Sequence, residues 1–429
     1  MKIQKLLLSL ILGALVLKMG SIPRSLYQYF LNSNLIADGW LENLLLYDAF
    51  IDKTCKIFVI ASIIVFSLLS NRQNLFRIHD IKKEILIVIT LLFIGILSPL
   101  FQGELLAGQT LFSSLLDFIY FISVFAVFSN SPCQSSIRIV KKYGKFFFRY
   151  SLFLLLIGTF LFFTLPGAYY NIELPLPWTL YAIGFSPLNI MMSLGMALLS
   201  GNITSFVGVA AMSFTFFLVS LRITLIRKSI LGLVFSCILF LSLSLSIIPF
   251  DLSKQVGYAD RFVESSSALV NFGLKQPLSF LYGIGSLGLG NWVVDVSSSA
   301  AQDPVLQGIQ VGDQMPRYLH NSYLSVLLSY GAIGAILFCV SILFVANKVK
   351  IIDKAIFSRI FSHNFLQPSH ISARRQLVEI GIALVGFMAS SLLMYQLSHV
   401  LLPVFLGLFY SLFNDFKQSL DGYIEVEQH

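Results

Sequence analysis

The sequence has little charge and few cysteines for its length. Of its 429 residues, 12% are charged and 56% are hydrophobic, whereas a soluble domain carries about 25% charged and about 45–50% apolar residues. Its four cysteines are spaced neither as a disulfide framework nor as a zinc site. These features exclude disordered, fibrous and disulfide-stapled secreted proteins, and they favour a single polytopic membrane protein.

The motifs of common soluble enzymes are also missing. The sequence contains no G-x-x-x-x-G-K-[ST] loop, no H-E-x-x-H and no G-x-S-x-G. The run from Gly283 to Gly288 does spell the dinucleotide fingerprint G-x-G-x-x-G, but no buried strand precedes it, as that motif requires. We therefore predict no nucleotide site there, and nothing in the sequence predicts a metal ion or another cofactor.

Long apolar runs are the main feature that the sequence does have. A membrane span needs about 20 apolar residues and must pair its backbone amides internally, so such runs predict helices. We predict an all-α polytopic membrane protein with about 11–12 transmembrane helices. The candidate spans are residues 5–20, 56–70, 85–101, 111–128, 147–166, 178–200, 203–221, 230–249, 321–346, 377–397 and 399–414.

Lysine and arginine cluster between these candidate spans, and short basic loops stay cytoplasmic. With Lys2 and Lys5, four clusters hold 20 of the 29 basic residues: residues 71–84, 129–149, 222–228 and 348–375. The net charge of +8 is therefore a topology signal, and we predict no nucleic-acid partner.

Residues 250–320 carry no cationic excess, so we predict that they form one large extracytoplasmic loop. This loop divides the chain into N-terminal helices (1–249), the loop itself (250–320), and C-terminal helices with a short cytoplasmic tail (321–429).

The number of crossings between the second and third basic clusters is inconsistent with this topology. If residues 129–149 and 222–228 both lie inside, an even number of crossings must separate them, yet three candidate spans lie there. One span must be re-entrant or divided. Residues 167–190 are the best candidate because three prolines and a glycine interrupt any simple helix: Pro175, Pro177, Gly184 and Pro187.

Three ionisable residues lie in or beside the candidate spans, where such groups are functional candidates by default. Asp117 lies well inside an apolar run, and its alternative role is a polar contact between helices. We expect Glu379 to face the basic cytoplasmic segment, and His399 to be an interface residue between the last two spans.

The strongest local motif lies where the external loop meets the ninth candidate span. There the sequence reads His320-Asn321-Ser322-Tyr323-Leu324. A histidine has an unperturbed pKa of about 6.5, so one at the outer membrane surface could act as a general base near neutrality. The alternative is an interfacial histidine that only caps the helix.

His320-Asn321-x-Tyr323-Leu324, followed by Gly331-x-x-Gly334, resembles the signature of the O-antigen ligase and O-antigen polymerase superfamily. Upstream, Asp260-Arg261, Pro277 and Gly283-x-Gly285 are similar to the arginine, proline and glycine turn in the large external loop of that family. The resemblance covers residues 250–414, whereas residues 1–200 match only in general hydropathy.

The resemblance implies a metal-independent, C-type glycosyltransferase-like protein in the bacterial cytoplasmic (inner) membrane. Its donor would be a glycan linked through pyrophosphate to undecaprenol, and its acceptor a second glycan or lipid A core. Arg261 would hold the pyrophosphate and His320 would activate or position the acceptor hydroxyl. Arg317, Asn321 and Tyr323 would contact substrate.

Arg222 is the one position where motif and topology disagree. Val219-Ser220-Leu221-Arg222 fits the functional arginine that family members carry after a Ser/Thr-rich span end. That arginine faces outward, but only 28 residues separate Arg222 from Asp251, too few for two crossings. Either Arg222 is a cytoplasmic anchor or the crossings are miscounted, and Arg317 could take its place.

Two versions of the enzyme and two other classes of protein stay open. The polymerase that extends a surface polysaccharide is favoured over the ligase that transfers a finished chain to lipid A core. A transporter or flippase of lipid-linked glycans predicts several intramembrane charges and often an internal repeat. In the sequence, Asp117 is the sole well-buried charge and no repeat is apparent. A receptor or assembly protein without catalysis is the remaining class.

Overall fold

A computed structural model of the chain describes ten helices, numbered here in chain order. They are α1 (Lys2–Gly20), α2 (Gly39–Leu69), α3 (Lys82–Phe101), α4 (Gly108–Asn130), α5 (Cys133–Thr164), α6 (Leu176–Ile183), α7 (Pro187–Leu199), α8 (Ile203–Ser220), α9 (Pro368–Ser390) and α10 (Leu402–Glu427). Residues 330–341 are also helical.

The residues that the structure describes are 2–20, 39–69, 82–101, 108–164, 174–200, 203–220, 230, 231, 234, 280, 281, 283, 327, 330–341, 343, 344, 347, 348, 368–390 and 401–427. Within them every regular element is an α-helix, which confirms the all-α prediction. None of the helices in this part of the chain is both long enough and apolar enough to cross a membrane. Most of the candidate span 230–249 and of the loop 250–320 lies outside it.

Residues 129–149 do not form the loop that the basic cluster predicts. α4 ends at Asn130 and α5 begins at Cys133, so only residues 131 and 132 connect the two helices. The basic residues lie on the first half of α5. An amphipathic helix can hold them on its outer side while buried residues such as Val140 and Phe147 face the bundle. Most of the predicted C-terminal tail is also helical, because α10 continues to Glu427.

The candidate span 178–200 is divided into α6 and α7, as the crossing count requires. Gly184 follows α6 with a φ of 91°, a conformation that favours glycine. Ser186 caps α7 by accepting a hydrogen bond from the amide of Asn189 (3.2 Å). The side-chain amide of Asn189 donates to the carbonyls of Ile183 (3.1 Å) and Gly184 (2.9 Å). These hydrogen bonds pair backbone groups that have no partner within a helix at the break between α6 and α7.

α6 runs parallel to α8, whereas α7 runs antiparallel to it. Ser205, near the start of α8, donates to the carbonyl of Leu174 (3.1 Å). Near the end of α8, Phe216 stacks on Phe185 with ring centroids 5.5 Å apart. Residues 200–202 join α7 to α8, and the two helices pack together. The three candidate spans between the second and third basic clusters therefore correspond to four helices, α5 to α8. Four is an even number, as the topology requires.

After helices α5 to α8, the chain is back at the end of the bundle at which α5 begins. The Trp178 ring lies 5.7 Å from that of Phe147, and Tyr181 lies under the ammonium of Lys141 at 5.0 Å. α6 thus runs antiparallel to α5, towards its basic half. Because α8 is parallel to α6, Ser220 also lies at this end, which we name the basic end.

If the chain is a membrane protein, this direction predicts on which side of the membrane Arg222 lies. If the basic end is cytoplasmic, a cysteine at Arg222→Cys should react with a membrane-impermeant maleimide only after the inner face is opened. Lys142→Cys provides a matched inner control, and Arg317→Cys provides the outer one. Labelling of position 222 in intact cells would contradict the helix directions given above.

Glycines bring several helix pairs into close contact. A Cβ on Gly208 of α8 would meet the carbonyl oxygen of Gly386 of α9 at 3.2 Å, and the reverse is equally close at 3.2 Å. On α10, a Cβ at Gly407 would meet the carbonyl oxygen of Phe125 at 3.0 Å. On α5, a Cβ at Gly144 would meet Nε1 of Trp178 at 2.8 Å. Larger side chains at these positions would force the helices apart.

Candidate active site

The six residues predicted to bind or transform substrate all lie outside the described residues. They are Arg222, Arg261, Arg317, His320, Asn321 and Tyr323. The interface residue His399 lies outside them as well. Of the motifs that carry the family resemblance, the structure describes three glycines: Gly283, Gly331 and Gly334.

Gly331 lies directly against Leu281 and Gly283, which belong to the segment predicted to form the external loop. It has a φ of +66°, and a Cβ built on it would overlap the carbonyl of Leu281 and lie 2.5 Å from the amide nitrogen of Gly283. Gly283 also has a positive φ, 78°. Only glycine combines this backbone conformation with so close an approach. Glycines from two motifs that lie far apart in the sequence are therefore in contact.

The helical segment 330–341 is in turn supported by α3 and α4. Tyr330 makes an edge-to-face contact with Phe118 of α4, with ring centroids 6.5 Å apart and planes at 89°. A Cβ at Gly334 would come within 3.5 Å of Leu91 of α3. The helix that follows the histidine motif thus begins on a surface made by the N-terminal helices.

An ion pair joins α2 to α4 beside this contact. Lys56 Nζ donates to Asp117 Oδ1 at 2.5 Å, with 9% of the lysine side chain and 38% of the aspartate side chain exposed. The structure therefore shows the polar contact between helices that the sequence left open for Asp117. The prediction that Asp117 is the sole well-buried charge is wrong, because Asp117 keeps more than a third of its side chain exposed and Lys56 is the buried member of the pair.

Removing the carboxylate of this pair is expected to destabilise the protein. Asp117→Asn should lower the free energy of unfolding by about 1–3 kcal/mol, since a largely buried ammonium loses a charged acceptor. The double variant Lys56→Met/Asp117→Leu should recover most of that loss, because it removes both charges together. Thermal unfolding in detergent measures both. Equal instability of the single and double variants would show that the pair is not coupled.

A second polar cluster ties α5, α6 and α9 together at the basic end. Glu379, with 13% of its side chain exposed, accepts from Lys141 at 2.8 Å and from Arg375 at 3.1 Å. The Lys141 ammonium also lies over the ring of Tyr181, a favourable cation–π arrangement. The prediction that Glu379 faces the basic segment is confirmed.

Cys133 lies in the same region, at the first residue of α5. Burial raises the pKa of its thiol to about 12, and the charge of Asp415 adds to the shift, whereas a hydrogen bond with Ser411 opposes it. A helix N-terminus normally lowers the pKa of a thiol. Burial therefore outweighs the helix terminus here, and the thiol stays protonated at neutral pH.

The protonated thiol should resist alkylation. We expect Cys133 to react with a membrane-permeant maleimide only after unfolding, because the thiolate is the nucleophile. Cys339, which is exposed, provides the comparison, and peptide mass spectrometry measures the labelled fraction at each position. Labelling of folded protein at Cys133 as fast as at Cys339 would contradict the buried position of Cys133.

Comparison of the chain with protein-family models, with curated proteins and with solved structures found no match. Assignment of a function therefore depends on the sequence motifs and on the contacts described above.

Proposed function

We propose that the chain is a polytopic glycosyltransferase of the bacterial cytoplasmic membrane that polymerises a surface polysaccharide. It would join glycans linked to undecaprenyl pyrophosphate at the outer face of the membrane, without a metal ion or nucleotide. The observation that carries this proposal is the contact of Gly331 with Leu281 and Gly283. It joins two motifs that the family resemblance identifies in separate parts of the sequence.

Two features of the described helices support a location in the membrane. Large apolar side chains are highly exposed, among them Leu156 (70%), Phe160 (67%), Leu188 (67%) and Met191 (71%). They lie three or four residues apart on α5 and on α7, so each helix exposes apolar side chains on one side, as surfaces that bind a membrane or a partner do. Glycines also form the close helix contacts of Gly208 with Gly386 and of Gly407 with α4, as is usual where lipid removes the hydrophobic driving force between helices.

The proposed reaction forms one glycosidic bond and breaks one sugar–phosphate bond. The acceptor hydroxyl oxygen attacks the anomeric carbon of the donor, and undecaprenyl pyrophosphate leaves with the bonding electron pair. His320 would take the hydroxyl proton. The guanidinium of Arg261 would stabilise the negative charge that develops on the pyrophosphate, because a planar fork of donors fits phosphate oxygens bidentately.

Reconstitution with defined acceptors tests this proposal. We expect purified protein in liposomes to convert undecaprenyl-pyrophosphate-linked repeat units into a ladder of longer glycans, resolved on a gel, without lipid A core. Transfer that occurs only when lipid A core is supplied would identify the ligase instead. Movement of intact donor between leaflets, with no glycan growth, would identify a flippase.

A further inference from the structure

One face of α5 changes from basic to apolar along a single line. Every third or fourth residue on this face is exposed, and the first four are Arg138, Lys142, Lys145 and Arg149. The line continues with Phe153, Leu156 and Phe160, which are 58%, 70% and 67% exposed. Intervals of three and four residues place all seven on one side of a helix. We name them the α5 stripe.

The charge on the basic half of the α5 stripe is not neutralised within the described part of the chain. No ion pair that the structure describes includes any of its four basic residues, and α5 contains no acidic residue. Lys141, which points away from the stripe, is the residue of this helix that binds Glu379. The four stripe charges therefore face outward.

The dimensions of the α5 stripe fit a membrane surface. Its basic part is about 16 Å long and its apolar part about 10 Å long, at about 1.5 Å per residue. The change from charge to hydrocarbon occurs within one turn, between Arg149 and Phe153. Long basic side chains at such a boundary bury their stems and extend their charges towards the headgroups.

We propose that the α5 stripe binds anionic phospholipids of the leaflet at the basic end. The basic residues would hold the lipid phosphates, and Phe153, Leu156 and Phe160 would contact the acyl chains. An acidic protein or a nucleic acid would match the basic half alone. A lipid matches both halves, because it joins an anionic headgroup to hydrocarbon. This inference rests on the membrane location in the proposed function and is independent of the reaction.

Quenching of a tryptophan within the α5 stripe tests the lipid site. The reporter is Phe153→Trp, and the full-length protein is placed in nanodiscs of zwitterionic lipid with a minor fraction of brominated phosphatidylglycerol or of brominated phosphatidylcholine. The same chain without the reporter gives the background from its three native tryptophans. We expect the brominated anionic lipid to quench the reporter more strongly, since each nearby basic residue favours an anionic surface by roughly fivefold.

Charge variants establish where the preference originates. Lys142→Gln/Lys145→Gln should remove most of the excess quenching, and so should high salt, which screens charges at a lipid surface. Lys53→Gln/Lys83→Gln removes the same charge from two exposed lysines of α2 and α3 and should leave the excess intact.

The outcomes separate this inference from the proposed function. Equal quenching by the two brominated lipids, or equal loss in the two charge variants, would overturn the lipid site while leaving the glycosyltransferase proposal in place. A folded chain that does not insert into nanodiscs would overturn both.

Discussion

Replacement of His320 by alanine is expected to slow glycan chain growth about 10²–10⁴-fold, the range that a positioned general base contributes. The variant should still insert into the membrane and retain donor, because the pyrophosphate would be held by Arg261. Product length on a gel, followed over time in liposomes, gives the rate. Binding of radiolabelled donor, measured in parallel, separates loss of catalysis from loss of binding.

A second histidine provides the control for this variant. His399→Ala removes an imidazole that the sequence predicts at a helix interface, and it should change the rate of chain growth little. The rate of the unmodified protein should also fall at acidic pH, since a protonated imidazole cannot accept the hydroxyl proton. Chain growth that is unaffected by His320→Ala would contradict the mechanism.

Replacement of Gly331 by alanine should disrupt the contact between the glycine turn and the helical segment 330–341. The left-handed backbone of a residue with a side chain costs about 1–2 kcal/mol, and a Cβ at this position overlaps the carbonyl of Leu281. We expect a clear drop in the thermal unfolding temperature in detergent and loss of most of the activity. The turn and the helix can no longer pack as described.

Two other glycines separate the causes of that loss. Gly184 has a φ of +91° and no atom within 4 Å of a built Cβ, so Gly184→Ala should show the backbone cost alone. Gly381 is helical with equally open surroundings, and Gly381→Ala should be neutral or slightly stabilising. If Gly331→Ala cost no more than about 1–2 kcal/mol, the range of the backbone conformation alone, the contact with Leu281 and Gly283 would have no role.

The helices themselves could be predicted from the sequence because long apolar runs leave few alternatives. The break inside residues 178–200 could also be predicted, because the nearby prolines and Gly184 disfavour a continuous helix. What the pattern did not reveal was direction. The reversal of α7 depends on tertiary contacts, such as Ser205 with Leu174 and Phe216 with Phe185, and these residues carry no signal for one another in the sequence.

Charge was the main source of error. A basic run such as residues 129–149 predicts a loop between spans, yet an amphipathic helix places the same charges on one face. The candidate span 56–70 begins at Lys56, whereas in the structure Lys56 lies within α2 and pairs with Asp117 of α4. The ion-pair partner of a charged residue can be distant in the sequence. Composition alone therefore cannot distinguish a charge at the end of a span from a charge in a buried ion pair.

The glycine contact at Gly331 was only partly predictable. The motif resemblance marks Gly283 and Gly331 as members of one family pattern, but it does not say that they touch. Their positive φ values and the close approach of Leu281 to Gly331 become visible only in three dimensions. A glycine in the first turn of an apolar helix is the sole sequence signal, and it is a weak one.

Release of undecaprenyl pyrophosphate tests the central claim most directly. In liposomes that contain only the protein and a lipid-linked repeat unit, with a chelator and without nucleotide, we predict that one undecaprenyl pyrophosphate is released for each glycosidic bond formed. Both quantities can be measured on the same samples by mass spectrometry. Glycan donor that stays intact on its lipid, or bond formation that requires a nucleotide sugar, would contradict the assignment of this chain as a lipid-linked glycan polymerase.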